Sequence, residues 1–438
     1  MEKLFALTDA VFPVPVRFRS RLNRDVAELS RLLTSARGER GASYLGQSAM
    51  LTAYLRCFLP WNVYRLVRLL PPLPLALSDG DVISDLGSGP LTLPIALWIA
   101  RPELRPLKLV FHCVDRTQAV LEAGKKLFAA LASPDGVEKA RGDGTARTKD
   151  GASYAVPGTA WTIKTIRGDI LHYGRRGGRG TGGKAGLVCA VNVYNELFWD
   201  IPHSDSRTLA RFAEQEARRL TEIVTDGASI LVVEPGVPRS GEFIVFLRDA
   251  LAAFGRPVVS PCTHGGSCPF PGGRGGRGGE KRKWCHFSFD ADGAPKKLLT
   301  LSASAGIPKE KAVLSFLFAG GVSGHAAGAP VGAEIVDAPT DVKGIGASDE
   351  RRIAVRVLSG KFPVTEKSAP VSRASGTLFG RYGCCALGAV LLTGAGCEMD
   401  AVPPGTLLHC DPPICEKRDS KSGAFILNQF QFMQGEHP

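Results

Sequence analysis

The sequence contains no apolar run of the roughly 18 residues or more that a membrane-spanning helix requires, so we expect no membrane association. Its first residues, MEKLFALTDAVFPVPVRF, include acidic residues and prolines instead of an uninterrupted apolar core, which argues against a secretory or organellar targeting signal. Repeats with the period of a solenoid are also missing. These absences favour a cytoplasmic protein, and we expect it to be a monomer.

Acidic residues are too few to balance the basic ones, since 54 Lys and Arg against 42 Asp and Glu give a net charge of +12. Two Gly/Arg-rich segments, residues 174–184 and 272–283, together contribute +8 of that charge. Such segments cannot build a core, so the phosphate backbone of an RNA is their expected partner; the alternative is a pair of solvated insertion loops. The predicted RNA-binding side chains are Arg175, Arg176, Arg179, Arg274, Arg277, Lys281, Arg282 and Lys283.

The hydrophobic pattern divides the chain into a helical and a mixed part. Residues 1–75 have apolar residues at helical spacing, and we expect Pro60 to break the last stretch into two helices. From about residue 80, short apolar strands alternate with helical segments, which is typical of a parallel sheet covered on both faces. The predicted strands are residues 82–86, 109–115, 162–169, 186–192 and 228–234, and the last helical face before the fifth strand ends at Val224.

The sequence pattern as a whole divides the chain into four regions. We predict an N-terminal helical region (1–75), an α/β domain (76–259), a cysteine-bearing segment (260–320) and a β-rich C-terminal region (321–438). Insertions are expected at residues 133–160 and 174–185. Within the C-terminal region, the candidate strands are residues 353–358 and 389–393.

A glycine turn, Asp85-Leu86-Gly87-Ser88-Gly89-Pro90, follows the first predicted strand. Glycines permit a tight reversal and the close approach of a ligand, and the next helix presents its N-terminal amides to an anionic group. A nicotinamide-binding fold would favour G-x-G-x-x-G, but Thr92 occupies the third glycine position. S-adenosylmethionine (SAM) has no pyrophosphate and does not need that third close approach, so SAM is the predicted cofactor.

Acidic residues at the ends of the next strands support this prediction. Asp115 is expected near the ribose hydroxyls and Asp169 near the adenine amino group. This order resembles class I SAM-dependent methyltransferases, with their Rossmann-like sheet, although Leu91 replaces the third glycine of their D/E-x-G-x-G-x-G motif. The predicted cofactor-binding residues are Asp85, Gly87, Gly89, Asp115, Asp169 and Asn192.

The end of the fourth strand carries the candidates for catalysis, Asn195 and Glu196. Amino- and cytosine-methylating enzymes keep their catalytic residues at this point. The sequence has neither the Asn-Pro-Pro-Tyr motif nor the Pro-Cys nucleophile of those enzymes. A helix cap combined with a cofactor contact is therefore the alternative role of these two residues.

Eleven cysteines in a cytoplasmic chain indicate buried thiols or metal ligands rather than disulfides. Cys57, Cys113 and Cys189 lie in apolar patterns and are expected in the core; the other eight follow residue 260. The spacing of Cys262, Cys268 and Cys285 differs from the C-x2-C knuckles of zinc ribbons.

Three thiolates with a fourth from elsewhere suit a [4Fe–4S] cluster. Zinc, with His264 or His286 in place of one thiolate, is the alternative. The other expected role of these histidines is hydrogen bonding to the sulfurs.

Several motifs resemble one known family. P-C-x-H-x3-C-P at 261–269 and W-C-H-F at 284–287, behind VVEPG and LRDAL, look like the small-ribosomal-subunit methyltransferase-like proteins of bacteria and mitochondria. The resemblance covers roughly residues 45–395 and implies a class I methyltransferase fold, a four-cysteine iron–sulfur site and a role in small-subunit assembly. It also implies a fourth ligand in a late β segment, for which Cys384 is preferred to Cys385.

The expected function is a SAM-binding, methyltransferase-like protein that binds the small ribosomal subunit or its rRNA and acts in assembly or translation, with rRNA as the substrate if it is an enzyme. The alternative is a non-catalytic assembly factor that uses the same fold and metal cluster as a scaffold. A small-molecule methyltransferase is disfavoured by the clustered positive charge. Cys410 and Cys415 are expected in a disordered tail.

Overall fold

The computed structural model divides the chain into two compact units. Unit 1 comprises Met1–Pro202, Gln215–Glu234 and Asp290–Ala312, and unit 2 comprises His203–Glu214, Pro235–Phe289 and Val313–Pro438. The four-part division made from the sequence stays a prediction. The structure describes residues 1–39, 44–133, 153–155, 158–174, 184–270, 274–275, 280–281, 283–321, 352–364, 377–412, 417–420, 422–427 and 431–432.

Helices predominate before residue 80 of the described chain, and strands predominate after residue 306. The α-helices are α1 (Glu2–Val11), α2 (Val16–Arg19), α3 (Leu22–Thr34), α4 (Ser48–Ala53), α5 (Leu59–Leu69), α6 (Thr92–Ala100), α7 (Gln118–Ala132), α8 (Tyr194–Leu197), α9 (Ser206–Ile223), α10 (Pro238–Ala253), α11 (Lys296–Ser304) and α12 (Gly396–Asp400). The strands are β1 (Val82–Leu86), β2 (Val110–Asp115), β3 (Ser153–Ala155), β4 (Thr162–Arg167), β5 (Ala185–Val191), β6 (Val224–Pro235), β7 (Val258–Ser260), β8 (Arg274–Gly275), β9 (Glu280–Lys281), β10 (Phe287–Asp290), β11 (Lys311–Ala319), β12 (Ile353–Val357), β13 (Phe362–Pro363), β14 (Phe379–Cys385), β15 (Gly388–Gly394), β16 (Leu407–Cys410), β17 (Phe425–Leu427) and β18 (Gln431–Phe432).

Unit 1 is built on a sheet of order β6-β5-β1-β2-β4-β3. The pairs β1–β2, β1–β5, β2–β4 and β5–β6 are parallel, and the edge strand β3 is antiparallel to its neighbour β4. Counted along the chain, the five parallel strands have the spatial order 3-2-1-4-5, which is the Rossmann-like arrangement. The prediction of a parallel α/β sheet is therefore confirmed. Its topological switch point lies between β1 and β5, where such folds bind their ligands.

Apolar residues fill the strands at the centre of this sheet, as is usual for buried parallel strands. One residue from each parallel strand is essentially inaccessible to solvent: Ile83, Phe111, Ile163, Leu187 and Ile230. The three cysteines predicted in the core, Cys57, Cys113 and Cys189, are also buried.

The N-terminal part of unit 1 is helical, as predicted, but Pro60 does not break the helix. The backbone passes from α4 into a π-helical turn, Tyr54–Phe58, and then directly into α5. Pro60 is the second residue of α5 and directly follows the π-helical turn, so the helical path continues through it although the proline supplies no N–H donor. The prediction of two separate helices is therefore wrong at this proline.

Unit 2 contains a second sheet, of order β17-β15-β14-β12-β16-β18, with β13 beside β14. Its described pairs are antiparallel except for β15–β17. The candidate strands at 353–358 and 389–393 are confirmed as β12 and β15. Cys410 lies fully buried on β16, so the prediction that it belongs to a disordered tail is wrong. Cys415 lies outside the described residues.

Two further details differ from or add to the sequence-based expectations. Val224 begins β6, opposite Ala185, instead of ending the preceding helical face. A β-branched residue such as Val224 fits a strand better than the end of a helix, and its pairing with Ala185 of β5 makes it part of the strand. Within the basic segment 272–283, β8 and β9 form a short antiparallel ribbon. No helix in the described ranges is long and apolar enough to cross a membrane.

Candidate functional site

The glycine turn after β1 has the backbone that its sequence predicts. Gly87 and Gly89 have φ angles of 72° and 54°, in the left-handed region that favours glycine. A Cβ atom at Gly87 would lie 2.5 Å from Cγ2 of Val193, so no larger residue fits there. At Gly89 the nearest atoms to such a Cβ are Thr92 Oγ1 at 3.8 Å and Tyr54 Oη at 3.9 Å. The turn is therefore closed on the Gly87 side and has room for a ligand beside Gly89.

Leu91 occupies the position of the third glycine and keeps a glycine-like backbone. Its φ of 57° and ψ of 43° are left-handed, which costs a leucine about 1–2 kcal/mol, and its side chain is fully buried. Helix α7 approaches this turn through Gly124, where a Cβ would lie 2.4 Å from the carbonyl carbon of Pro90. Leu91 therefore adopts the left-handed backbone that glycine favours at this position.

Asp85 is a buried carboxyl group at the end of β1. Its Oδ2 accepts a hydrogen bond from the Ser88 hydroxyl, whereas its Oδ1 is inaccessible and has no partner among the described residues. Burial raises the pKa of Asp85 to about 7, against the opposing effect of the Ser88 hydrogen bond. A buried oxygen without a partner is unusual in a folded protein and indicates a place for a donor that a ligand supplies.

Asp115, at the end of β2, fixes the other side of the turn. Its Oδ2 accepts from the amide of Gly89 at 3.0 Å, and its Oδ1 accepts from the amide of Thr117 at 2.8 Å. Burial raises its pKa above the ordinary value, and hydrogen bonds from the two amides oppose that shift. Each carboxylate oxygen keeps a second lone pair that a ribose hydroxyl can use.

Asp169 lies two residues beyond β4, the strand next to β2. Its side chain caps the 3-10 turn Ile170–His172 by accepting from the amide of Leu171 at 2.9 Å. The preceding amide, of Gly168, donates to the main-chain carbonyl of Asp115. The structure thus brings Asp85 and Asp115 to the glycine turn and holds Asp169 at the adjacent strand end.

The residues after β5 are held by a buried acid. Asn192 has a left-handed φ of 55°, and its amide donates to the Val233 carbonyl at 2.7 Å. Asn195 donates from its main-chain amide and from Nδ2 to Oε2 of Glu234, at 3.0 and 2.9 Å. Burial raises the pKa of Glu234 to about 7, opposed by these bonds.

Arg37 completes the enclosure of Asn195. Its Nη1 donates to both the side-chain Oδ1 and the main-chain carbonyl of Asn195, at 2.6 Å each. The guanidinium also stacks on the ring of Trp199, with its carbon 4.5 Å from the ring centre. Both ends of the Asn195 carboxamide are therefore engaged within the protein, whereas Glu196 is half-buried.

Tyr54 belongs to this site although the sequence pattern indicated only an apolar helix position. Its hydroxyl accepts from Nδ2 of Asn62 at 3.4 Å, and Oδ1 of Asn62 accepts from Nη1 of Arg65 at 2.9 Å. Burial raises the pKa of Tyr54 above its ordinary range, as do the nearby carboxylates of Glu196 and Asp115. The signal that could have revealed it is the row of polar side chains on a helix that is otherwise apolar.

The four predicted cysteine ligands all belong to unit 2. Burial raises the pKa of the Cys285 thiol well above its ordinary value, and Cys262, Cys268 and Cys384 each add to that shift. Cys384 is affected by Cys262 and Cys268 in the same way. The neighbouring residue, Cys385, is fully buried in the apolar core of the second sheet, and its Sγ donates to the Gly388 carbonyl at 3.5 Å. Successive residues of a strand point to opposite faces, which separates Cys384 from Cys385.

A metal centre is not shown by this arrangement. Within the described ranges, no group of three or more His, Cys, Asp or Glu side chains has the geometry to hold a metal ion. Nε2 of His264 lies 3.8 Å from Sγ of Cys384, and Nδ1 of His286 lies 3.1 Å from the Trp284 carbonyl. The latter histidine also stacks on the Trp284 ring.

The predicted RNA-binding side chains are only partly described. Lys283 is exposed, donates to the Ser422 carbonyl and lies 5.6 Å from the Tyr382 ring centre. Arg274 and Lys281 are paired across the β8–β9 ribbon and are described by their backbone alone. The positions outside the described residues are Arg175, Arg176, Arg179, Arg277 and Arg282.

Comparison with known proteins finds similarity to one family and to several solved structures. The model of a family described as "Mitochondrial small ribosomal subunit Rsm22" matches residues 206–344, about a third of the chain. No curated protein sequence matches.

Among solved structures, a SAM-bound variant of 16S rRNA (adenine(1408)-N(1))-methyltransferase from Catenulisporales acidiphilia is 14% identical, covering 61% of this chain and 93% of its own, with a TM-score of 0.26. The 16S rRNA methyltransferase KamB is 14% identical, covering 59% and 92%, with a TM-score of 0.29. Fibrillarin from Aeropyrum pernix, with bound SAM, is 13% identical, covering 59% and 76%, with a TM-score of 0.27. Because these TM-scores are low, the assignment of the fold rests on the strand order of unit 1 and not on these structures. The similarity to the Rsm22 family covers residues 206–344.

Proposed function

We propose that this chain is a SAM-binding, methyltransferase-like protein that binds the small ribosomal subunit or its rRNA and acts in subunit assembly or translation. The observation that carries the proposal is the glycine turn at the switch point of the unit 1 sheet. It combines room beside Gly89 with a buried Asp85 oxygen that has no partner among the described residues.

The residues of the turn fit SAM by their chemistry. The cofactor has a positively charged amino group, for which Asp85 supplies a buried acceptor, and ribose hydroxyls, for which Asp115 has free lone pairs. Asp169 is the candidate partner of the adenine amino group, and Asn192 lines the same edge of the sheet. Bound SAM would supply an activated methyl group; the chain's own residues bind it, orient it and exclude water.

A second candidate function, a non-catalytic assembly factor, is favoured by the contacts of Asn195. Both ends of its carboxamide are bound, by Arg37 and by Glu234, so it cannot position an acceptor amine without breaking them. This observation supports a crevice that binds cofactor more strongly than it supports methyl transfer.

The assignment of the partner rests on the family similarity and on charge. The matched residues 206–344 include Cys262, Cys268, Cys285 and the basic segment 272–283. Clustered Arg and Lys residues bind a phosphate backbone with an affinity that falls as salt rises. Both features favour an RNA-rich partner such as the small subunit.

We also propose a [4Fe–4S] cluster held by Cys262, Cys268, Cys285 and Cys384. Support for this ligand set comes from Cys262 and Cys268, both of which raise the pKa of the Cys285 thiol and of the Cys384 thiol. Iron–sulfur clusters are held by four cysteine thiolates, whereas structural zinc sites favour closely spaced C-x2-C pairs. The wide spacing of the first three cysteines along the chain therefore favours the cluster over zinc.

Calorimetric titration of the full chain with SAM tests the cofactor assignment. We expect saturable binding with one site per chain. Heat changes no larger than those of dilution at millimolar SAM would contradict the proposal, because a crevice of this kind would then have no methyl donor.

Sedimentation with purified small ribosomal subunits tests the partner. We expect co-sedimentation that weakens as salt increases, and a weaker, less salt-dependent interaction after deletion of residues 272–283. An unchanged salt dependence would favour the alternative of a solvated loop. Incubation of the complex with radiolabelled SAM then separates the enzyme from the scaffold, since only the enzyme transfers label to rRNA.

A further inference from the structure

The proposed cofactor site leaves one charged group of SAM without a partner. Asp85, Asp115 and Asp169 are assigned to its amino group, ribose and adenine, whereas its carboxylate still needs a cation. We infer that Arg65 and Lys309 form an oxyanion site beside the glycine turn, which takes either this carboxylate or a backbone phosphate of the RNA. The first of these sources rests on the proposed cofactor, and the second rests on the proposed partner.

Arg65 is connected to the glycine turn by a row of polar contacts. Its Nη1 donates to Oδ1 of Asn62 at 2.9 Å, and Nδ2 of Asn62 donates to the Tyr54 hydroxyl at 3.4 Å. That hydroxyl lies 3.9 Å from the place that a Cβ atom of Gly89 would take, on the side of the turn that has room for a ligand. All of these residues belong to unit 1, as does Lys309, so the proposed site lies within one compact unit.

The charge of Arg65 is not balanced within the described chain. Its side chain is half-buried, and its Nε is inaccessible and has no hydrogen-bond partner among the described residues. Burial lowers the pKa of Arg65 to about 10, and the described groups that oppose this shift are the Cys57 thiol and the Tyr54 hydroxyl, not a carboxylate. Burial raises the pKa of both of these groups, so both are neutral at pH 7. A buried donor without an acceptor, on a cation without an anion, indicates a place for an anionic ligand.

Lys309 adds a second positive charge near Arg65. It lies in the segment between α11 and β11 and is half-buried. The charges of Lys309 and Arg65 both act on the thiol of Cys57, whose Sγ lies 3.8 Å from the Ser302 hydroxyl of α11. Burial and the charge of Arg65 lower the pKa of Lys309, and no carboxylate of the described residues acts on it. Two like charges therefore share one neighbourhood without a described acid between them.

The chemistry of the two cations favours an oxyanion as the ligand. A guanidinium offers a planar fork of N–H donors that matches a carboxylate or a phosphate, and an ammonium adds a compact second charge. A purely structural role predicts that loss of the Lys309 charge weakens the fold. An oxyanion site predicts the opposite for the free chain, because loss of one of two like charges relieves their repulsion.

Urea unfolding of the full chain without ligand is the first measurement. K309Q should raise the midpoint, because it relieves the repulsion on Arg65. The matched control is K311Q, which removes an exposed charge two residues further along the chain and should leave the midpoint unchanged. A midpoint for K309Q that is not higher than that of K311Q would overturn the inference, because the charge of Lys309 would then be balanced in the free chain.

Calorimetry then compares SAM with decarboxylated SAM, which differs from SAM in lacking the carboxylate. If the carboxylate is the ligand, the wild type should prefer SAM by about tenfold or more, and R65Q and K309Q should lose that preference. R68Q, which removes the charge of an exposed arginine on the same helix, should keep it. If R65Q does not fold, K309Q carries the comparison.

Co-sedimentation with small ribosomal subunits in the presence of SAM identifies the second source. If a backbone phosphate is the ligand, R65Q and K309Q should bind SAM as the wild type does but bind the subunits several-fold more weakly. Variants that match R68Q and K311Q in both binding measurements would overturn the oxyanion site. If the wild type itself does not bind SAM, the proposed cofactor fails, and the unfolding and subunit measurements still decide on Arg65 and Lys309.

Discussion

The glycine turn of unit 1 and the cysteine group of unit 2 achieve their geometry in different ways. The turn is made of consecutive residues, and main-chain conformation fixes it: φ angles at Gly87, Gly89 and Leu91, and amides bonded to Asp115. The cysteine group comes from separate segments: Cys384 is buried, the other three cysteines are half-buried, and the pKa values of Cys285 and Cys384 are raised. The turn is fixed by its own main chain and leaves one Asp85 oxygen without a partner among the described residues, whereas the thiols would have to release their protons to bind the proposed cluster.

This difference predicts how each site fails. Loss of one cysteine ligand should abolish binding of the proposed cluster, because a multi-iron cluster needs all four thiolates. Changes in the glycine turn should instead lower both the stability of the fold and its affinity for SAM. Single substitutions at the two sites, each with a matched control, test this difference.

Cys384→Ser should abolish iron and sulfide binding, because Cys384 is the residue of the Cys384–Cys385 pair that faces the other thiols. Cys385→Ser is the matched control, since that side chain lies in the apolar core; it should lower thermal stability and keep the iron. Iron and sulfide analysis after anaerobic purification measures both. The ligand set would have to be revised if the two variants behaved in the opposite way.

Gly87→Ala should destabilise the fold and prevent SAM binding. The left-handed backbone costs about 1–2 kcal/mol, and the overlap with Val193 adds about 1–3 kcal/mol. Gly80→Ala is the control: Gly80 is also left-handed, with φ of 86°, but a Cβ there meets nothing within 4 Å. Urea unfolding should give a clearly larger loss for Gly87→Ala, and equal losses would show that the Val193 contact is relieved at no cost.

Asp85→Asn should weaken SAM binding about tenfold or more by removing the buried charge, while Asp81→Asn, just before β1, should not.

Because burial raises the pKa of Asp85 from 3.8 to about 7, folding favours its protonated form. That stabilising contribution is complete below pH 4 and is lost as the pH rises through 7. Wild-type stability should therefore fall between pH 5 and 8 more than that of Asp85→Asn.

SAM affinity should change with pH in the opposite sense, because the ionised carboxylate is the better acceptor for a positively charged amino group. Calorimetry of the wild type should show tighter binding at pH 8 than at pH 6, and Asp85→Asn should show no such trend. A wild-type affinity that is independent of pH would argue that Asp85 is already ionised in the free protein.

Tyr54→Phe is expected to have the smallest effect, a few-fold loss of SAM affinity, because its hydrogen bond to Asn62 is long at 3.4 Å. Tyr64→Phe is the control: its hydroxyl donates to the Asp290 carbonyl at 2.7 Å, so that variant should lose stability but not affinity. Equal affinities for the wild type and Tyr54→Phe would restrict Tyr54 to a packing role.

Sequence patterns predicted the parts of this molecule that local chemistry determines. The five parallel strands alternate with helices at the expected places, and the turn after Asp85 follows from closely spaced glycines. Features that depend on tertiary contacts were missed. Val224 joins β6 because β5 pairs with it, and Cys410 is buried because β12 and β18 flank its strand.

The role of Tyr54 in the site was also missed, because Tyr54 is far from the glycine turn in the sequence and close to it only in the fold. It reaches the glycine turn from a π-helical segment that apolar periodicity does not distinguish from an α-helix. The effect of Pro60 was predicted wrongly for a related reason, since the π-helical turn just before it is not visible in the apolar periodicity.

The close approach of Gly124 to the Pro90–Leu91 peptide has a consequence for how this sequence can vary. A larger residue at position 124 would push α7 away from the turn unless the main chain at Leu91 changed with it. Homologues should therefore show these two positions covarying: where residue 124 is not glycine, residue 91 should return to glycine, which can adopt other paths.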